Sequence, residues 1–331
     1  MRLLRALVAA CAALALAVLA AAPSASAVPP KSLMFATWNV CKIDCAAPAP
    51  SWDVRRNRMA KTVAEAEADV LSLNEATNWE YGAGTQWDDI QQLLAPLDLV
   101  SPQIQDDRCE TQGCTHTARL MFRSSTVQQA TFSGQASAGY ARVMDIAPNV
   151  PTDGDRQVTW AYLQGTAGSG IGPFLVVGVH LSTFKTAAAE QHRVMFGRAV
   201  QAWSEQMNAA RGLTGAATIV MGDFNSTESR NPRGVQFVMK SAGWTDAISA
   251  PKRTNIRINS INYTPTQRTG WPARPIFNKW TKASRIDYIM MRGPVRPLTY
   301  EVVVHTKAGG AFDPEYQASD HLTVRARLQF G

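Results

Sequence analysis

The 331-residue chain has only five cysteines, no repeat at a fixed period and, beyond residue 30, no linker rich in Pro, Gly or Ser. Nor does a second long apolar run follow the first. So few cysteines exclude a small fold framed by disulfides. The missing period excludes a solenoid or propeller, and the missing linker argues for one large domain rather than two tethered ones. Without another run of spanning length, the chain beyond its first segment is expected to be soluble.

What is present begins with an apolar leader. Arg2 and Arg5 precede an Ala/Leu/Val run from Ala6 to Ala22, and Ala25-Ser26-Ala27 supplies small residues at a cleavage position. This pattern predicts a signal peptide over 1–27, a mature domain over 28–331 and a secreted, extracellular protein. The alternative is an uncleaved anchor, but the run is Ala-dominated and falls short of the ~20 residues a spanning helix needs. Cys11 stands too early for a lipid-modified cysteine, because apolar residues continue beyond it.

Four cysteines follow the leader, in two local pairs. An oxidising destination favours disulfides Cys41–Cys45 and Cys109–Cys114, although other pairings are formally open. Each would clip a small loop, worth about 2 kcal/mol on the chain-entropy model. A zinc site built from the same four thiolates is the rival, with poor spacing for a zinc ribbon. Lys and Arg number 33 against 26 Asp and Glu; losing Arg2 and Arg5 leaves 31 against 26. That balance favours polyanionic partners, nucleic acid or anionic lipid, and is equally compatible with ordinary solubility.

Short apolar segments bounded by turn residues dominate. Ser32 to Trp38 reads as a first strand, Asp53 to Ala68 as an amphipathic helix, and Asp69 to Leu73 as a second strand. Leu120–Phe122, Val143–Ile146, Val158–Leu163 and Phe174–Leu181 are further strand candidates. Ala187–Ala210 and Gln236–Ala242 read as helices, and Leu322–Leu328 as a closing strand. Thr218–Met221 and Ile286–Met291 are nearly all apolar, which implies burial on both faces. Asn255–Lys282 is polar with little periodicity and reads as a long surface loop. Many strands and few helices point to two sheets packed face to face with helices outside.

Polar residues capable of chemistry stand at the ends of these apolar runs: Asn39, Glu75, His180, Asp223, Asn225, Asp287 and Asp320-His321. A carboxylate in an apolar setting is costly unless paired, hydrogen-bonded or bound to a metal, so these groups are expected to satisfy one another. Singly, each has a plain explanation as a turn residue, a cap, a core histidine or a salt-bridge partner.

Together they carry a resemblance. Thr37-Trp38-Asn39-Val40, Leu73-Asn74-Glu75, Val179-His180-Leu181, Gly222-Asp223-Phe224-Asn225, Arg285-Ile286-Asp287-Tyr288-Ile289 and Ser319-Asp320-His321 follow the order and rough spacing of the endonuclease/exonuclease/phosphatase superfamily. The resemblance implies a four-layer α/β sandwich, two mainly antiparallel sheets with helices outside, and an active site at one edge. It implies metal-dependent phosphodiester hydrolysis with Mg²⁺, or Mn²⁺ or Ca²⁺ in its place. Glu75 would be the principal metal ligand, with Asn39 beside it and Asp320 as a second metal-side ligand. Asp223 would orient or deprotonate water, and Asn225 would hold the phosphate or that water. His180 and His321 would flank the phosphate, with Asp287 keeping His321 protonated.

The sequence also departs from that pattern. Cys41 stands where deoxyribonuclease-like members carry an arginine, Asn74 replaces the usual glutamine, and no carboxylate is assigned as a support for His180. Nucleic acid is the expected substrate: Arg253, Arg257, Arg268, Arg274 and Lys279 interleave with Tyr263, Trp271, Phe277 and Trp280 in the loop stretch from Lys252 to Lys282. A sphingomyelinase-like or phosphoinositide-phosphatase-like enzyme, recognising a lipid head group, would use the same centre, and a binding protein lacking turnover is the reading of another class. A monomer without an obligate protein partner is expected.

Overall fold

The computed structural model describes residues 31–45, 49–104, 117–147, 156–262, 273–277 and 284–331. The expected leader, the Cys109/Cys114 pair and most of the long-loop aromatics (Tyr263, Trp271, Trp280) lie outside the described residues, as do Arg268 and Lys279.

In chain order the strands are β1 (Ser32–Asn39), β2 (Val70–Asn74), β3 (Glu80–Tyr81), β4 (Gly84–Thr85), β5 (Leu99–Val100), β6 (Ala118–Arg123), β7 (Val127–Gln129) and β8 (Ala138–Arg142). They continue with β9 (Gln157–Gly165), β10 (Phe174–His180), β11 (Thr218–Asp223), β12 (Thr245–Asp246), β13 (Lys252–Thr254), β14 (Asp287–Arg292), β15 (Val295–Val302) and β16 (Val324–Phe330). The helices are α1 (Trp52–Ala66), α2 (Gln86–Leu94), α3 (Val143–Ile146), α4 (Ala187–Ala210) and α5 (Val235–Ser241).

Two seven-stranded sheets result. The first runs β13-β15-β16-β1-β2-β6-β5, the second β12-β14-β11-β10-β9-β7 with β8 also on β9. Each sheet has a parallel pair near its centre joined through a helix: β1 and β2 through α1, β10 and β11 through α4. Most other pairings are antiparallel, β13 with β15 being parallel. The parallel pairs matter because their carboxyl ends point the same way, and open α/β sheets bind ligands at that edge.

Alternation along the strands divides the core into layers. Phe35, Val70, Leu120, Phe174, Val176, Ile219, Met221, Ile289, Val324 and Leu328 fill the space between the sheets. Phe35, Phe174 and Phe330 meet there, with ring centroids 5.9 and 4.8 Å apart along the chain of contacts, tying β1 and β16 to β10. On the outer face of the first sheet, Met59 and Val63 of α1 and Ile90 and Leu94 of α2 cover Ala36, Trp38, Leu71 and Leu73. Phe196 and Val200 of α4 and Val235 and Met239 of α5 cover Leu175, Val177 and Val220 of the second sheet. Each fully buried side chain of this size contributes about 1.5–3 kcal/mol, so the two outer layers are as necessary as the inner one.

Local sequence explains the helix ends. In α1 the buried residues Trp52, Arg55, Met59, Thr62, Val63 and Ala66 keep helical spacing, and Glu67 closes the helix in the left-handed conformation at φ 50°. In α2, Thr85 and Asp88 form a capping box: the Asp88 N–H donates to Thr85 Oγ1 and the Thr85 N–H to Asp88 Oδ2. Thr186 caps α4 by accepting the Ala189 N–H at 3.2 Å. Among the described residues no helix is long and apolar enough to cross a membrane.

Two readings of the sequence need correction. Val143–Ile146 is one helical turn, α3, rather than a strand; a four-residue apolar run carries no decisive period, and the Arg142–Asp145 ion pair suits helical spacing. The segment 255–262 is not surface loop either, because Ile258, Ser260 and Asn262 are buried and Ile261 bridges to His321.

Candidate active site

Strand register assembles the site. Asn39 and Asn74 end β1 and β2 opposite each other, and Glu75 follows with φ 58°. On the second sheet His180 ends β10 opposite Asp223 at the end of β11, and Asp223 pairs in turn with Asp287, which opens β14. Three adjacent strands therefore present a histidine and two carboxylates side by side. His321 arrives from the segment before β16, where Trp38 Nε1 donates to its carbonyl at 3.0 Å.

Two glycines allow this. Gly178 faces the other sheet, where an added Cβ would stand 3.0 Å from Ala118 Cβ and 3.1 Å from Ser72 Oγ. Gly222 lies at φ 148°, and a Cβ there would fall 1.9 Å from the Val179 carbonyl oxygen. A side chain at Gly178 would push the sheets apart, and one at Gly222 would force β11 away from β10, both beside the site.

The polar groups form one network. Asn39 Nδ2 donates to Glu75 Oε1 at 2.9 Å and lies 3.3 Å from Asp223 Oδ2, while Asn39 Oδ1 accepts the Cys41 N–H at 2.9 Å. His321 Nδ1 donates to Asp287 Oδ2 at 3.0 Å, and its Nε2 stands 4.0 Å from Asp223 Oδ2. His180 Nε2 is 3.8 Å from both Glu75 Oε1 and Asp223 Oδ2. Asn225, at φ 49°, gives its N–H to Asp223 Oδ1 at 2.8 Å and its Nδ2 to the Leu181 carbonyl at 3.0 Å. Left-handed φ at Cys41, Glu75 and Asn225 costs each of them conformational energy, on the order of 1 kcal/mol or more, and such strain gathers where geometry serves function.

Burial sets the electrostatics. It works against a charged His321, but the Asp287 carboxylate outweighs burial and holds the imidazolium well above the ordinary histidine value. Burial and the Asp287 charge push Asp223 up to about 7, with His321, Asn225 and Asn39 pulling the other way. Glu75 is raised as well, by burial first; Asn39 opposes that, and the Asp320 charge adds to it. Crowded, partly protonated carboxylates beside a cationic histidine are suited to binding a cation and passing protons.

The donor set fits a hard divalent cation. Glu75 and Asp320 offer carboxylate oxygens, and the Asn39 carbonyl keeps a second lone pair beyond its bond to Cys41. Asp223, Asp287 and His321 also bring one ligand atom each within 4.8 Å of one another, although Nδ1 of His321 is engaged by Asp287. Cys41 and Cys45 are joined as a disulfide, so the nearby Cys41–Cys45–Asp320 grouping offers no thiolates. That disulfide matches the expected pairing.

Several supports had no clear sequence signal. The buried Arg55 guanidinium donates to the carbonyls of Val40, Lys42 and Ala318, fastening the segments that carry Asn39 and Asp320. Burial lowers its pKa to about 10. Ser319 Oγ donates to the Asn39 carbonyl at 2.6 Å and accepts the His321 N–H at 3.1 Å. Ser260 Oγ accepts the N–H groups of Ile286 and Asp287, at 3.0 and 3.3 Å, fixing the carboxylate under His321. Ser319 sits inside its Ser-Asp-His run and could have been suspected; Arg55 and Ser260 could not. Of the long loop's expected contacts, Arg253 is exposed on β13 and Phe277 is exposed after bridging to Ile258.

A model of the Endonuclease/Exonuclease/phosphatase family matches residues 36–321. No curated protein matches the chain. Among solved structures, an endonuclease/exonuclease/phosphatase family protein from Bacteroides thetaiotaomicron superposes with a TM-score of 0.63 at 18% identity, covering 92% of this chain and 100% of its own. The mannosyl-6-phosphatase Bt3783 of the same organism gives 0.62 at 17%, covering 90% and 100%. D. rerio TDP2 complexed with a single-strand DNA product gives 0.56 at 16%, covering 90% and 99%. Identities this low speak to the fold alone, whereas the family match runs from the strand carrying Asn39 to His321 itself. The chain belongs to the endonuclease/exonuclease/phosphatase family.

Proposed function

We propose that this protein is a secreted, divalent-metal-dependent phosphodiesterase whose substrate is nucleic acid, with residues 28–331 as its catalytic domain. The observation that carries the reading is the convergence of Glu75, His180, Asp223 and the Asp287–His321 pair at one sheet edge. The leader supports export. The net basic balance and the nucleic-acid product in the D. rerio TDP2 complex support the substrate class.

Glu75 and Asp320, with the Asn39 carbonyl, would hold the cation, Mg²⁺ first and Mn²⁺ or Ca²⁺ as alternatives. Bound there, it would neutralise charge on the phosphate oxygens. Asp223 orients the attacking water and takes its proton as the new P–O bond forms. His321, kept cationic by Asp287, gives a proton to the leaving oxygen as the ester P–O bond breaks. His180 would flank the phosphate together with His321, and Asn225 fixes Asp223 through its backbone N–H. Preorganised charge of this kind supplies much of the barrier reduction in phosphoryl chemistry.

A lipid phosphoester is the second reading, favoured by exposed Phe184 and Phe277 in the segments following His180 and preceding Asp287. A panel of plasmid DNA, RNA, sphingomyelin vesicles and phosphoinositide vesicles, each with Mg²⁺, Mn²⁺, Ca²⁺ or chelator, separates the two. The nucleic-acid reading expects cation-dependent cleavage of DNA or RNA that weakens steeply with salt. Turnover of the vesicles with both nucleic acids untouched overturns it. Amino-terminal sequencing of protein from culture medium tests export and the start of the mature chain.

A further inference from the structure

Beside the strands that carry the catalytic groups, a cavity of ≈ 730 Å³ opens between α2 and the neighbouring strands β6, β8 and β9, lined among others by Asn78, Trp87, Gln91, Ser101, Arg119 and Tyr140. Its floor is a buried cation. Arg119 is only 3% exposed, its Nη1 donates to Tyr140 Oη at 2.9 Å and its Nη2 to Asn78 Oδ1, and Nε is buried with no acceptor. Among the described residues no carboxylate pairs with it. The guanidinium also lies against the Trp87 ring, 5.2 Å from its centroid. A buried arginine satisfied only by neutral oxygens, with a donor left over, is an unusual thing for a fold to keep.

Position links the cavity to the chemistry. Arg119 pairs with Leu73 and its neighbour Ala118 with Asn74, immediately before Glu75, while Asn78 lies three residues after it. Tyr140 pairs with Thr159, which pairs with Gly178 of the strand ending at His180. The cavity therefore adjoins the edge where both sheets present their polar groups.

We propose that this cavity is a second substrate subsite, in which Arg119 receives an oxyanion, a phosphate or a carboxylate, carried next to the scissile phosphate. The planar guanidinium suits such a group, and Trp87 holds the plane in place. The proposal rests on the phosphoesterase reading for its meaning, but its first test needs no turnover. Chelated protein is titrated calorimetrically with inorganic phosphate and, separately, with acetate, which distinguishes the two oxyanions. Because the cationic His321 at the centre can also attract an anion, the share owed to Arg119 is read from the variants. Arg119→Gln should weaken binding roughly tenfold to a hundredfold, the weight of a charge-assisted hydrogen bond. Ser101→Trp, which fills the cavity and leaves the guanidinium in place, should do the same, and covers the case in which Arg119→Gln does not fold. Binding of neither anion by the wild type, or equal binding by a folded variant, overturns the subsite. A kinetic arm compares bis(p-nitrophenyl) phosphate with the p-nitrophenyl ester of thymidine 3′,5′-bisphosphate. The wild type should prefer the second in kcat/KM and Ser101→Trp should lose that preference; a preference retained by Ser101→Trp overturns the assignment. Anion binding without hydrolysis of either ester would remove the phosphoesterase reading and leave the anion site standing.

Discussion

Asn74 and Asp223 belong to different sheets and are joined directly: the Asp223 N–H donates to Asn74 Oδ1 at 3.1 Å, while Asn74 Nδ2 donates to the Val179 carbonyl at 2.8 Å. One buried amide thus fastens the carboxyl ends of β2, β10 and β11 to one another. It fixes Asp223 relative to Glu75, the residue after Asn74, and gives the replacement of the usual glutamine a structural consequence.

Asn74→Ala should leave a buried N–H and a buried carbonyl unpaired, costing about 2–4 kcal/mol of stability. Thermal unfolding measures the loss. Turnover should fall as well, since Glu75 and Asp223 lose their common anchor. A variant melting with the wild type would show that the bridge is dispensable.

Asp287→Asn should lower the His321 pKa, because burial disfavours the cation and Asp287 is what overcomes it. The native imidazolium is held above its unfolded value of about 6.5. Its contribution to stability is therefore complete below that pH and is lost as pH rises through the folded pKa. A pH–rate profile should show the alkaline limb moving to lower pH, with kcat down on the order of 100-fold or more. An unmoved limb would dissociate Asp287 from His321.

Cation binding should release protons. Asp223, pushed up to about 7, and Glu75, also raised, hold protons in the metal-free protein that a cation displaces. A raised carboxyl favours the folded state at low pH and penalises it as pH climbs from the unfolded value through the folded one, so metal-free stability should decline across that window and Mg²⁺ should restore it. Calorimetry in buffers of different ionisation enthalpy should register release at about pH 6 and little by about pH 9. Equal release at both would refute the electrostatic picture of the site.

Reducing the Cys41–Cys45 disulfide should loosen the loop whose Cys41 N–H aims the Asn39 amide. Cation affinity should drop by roughly tenfold, as when other supporting partners of metal ligands are lost. Circular dichroism should stay native, since the clipped loop is small. Unchanged affinity after complete reduction would make the disulfide a purely local clip.

Legibility in the sequence followed physical coupling. β1, β2, β10, β11 and β14 are apolar runs buried on both faces, and polar residues at their ends had few places to go except toward one another. That is why Asn39, Glu75, His180, Asp223 and Asp287 could be singled out before any geometry. β15 escaped notice because its Arg, Pro and Thr residues mask a half-buried strand, and α2 because Gln86–Leu94 is short and polar despite its Thr85/Asp88 cap. Arg55, Ser260 and Arg119 act through contacts distant in sequence, Arg55 reaching Ala318 and Ser260 reaching Asp287, which no local pattern encodes.

The most direct measurement is turnover of bis(p-nitrophenyl) phosphate by the wild type and by folded Glu75→Ala, across a Mg²⁺ titration that ends with chelator. The wild type should show saturable, chelator-sensitive hydrolysis. Glu75→Ala should fall by about a thousandfold or more at the same cation concentration, on the scale of losing a principal electrostatic group. Near-native hydrolysis by Glu75→Ala, or wild-type activity that survives the chelator, would contradict a cation-dependent centre built around Glu75.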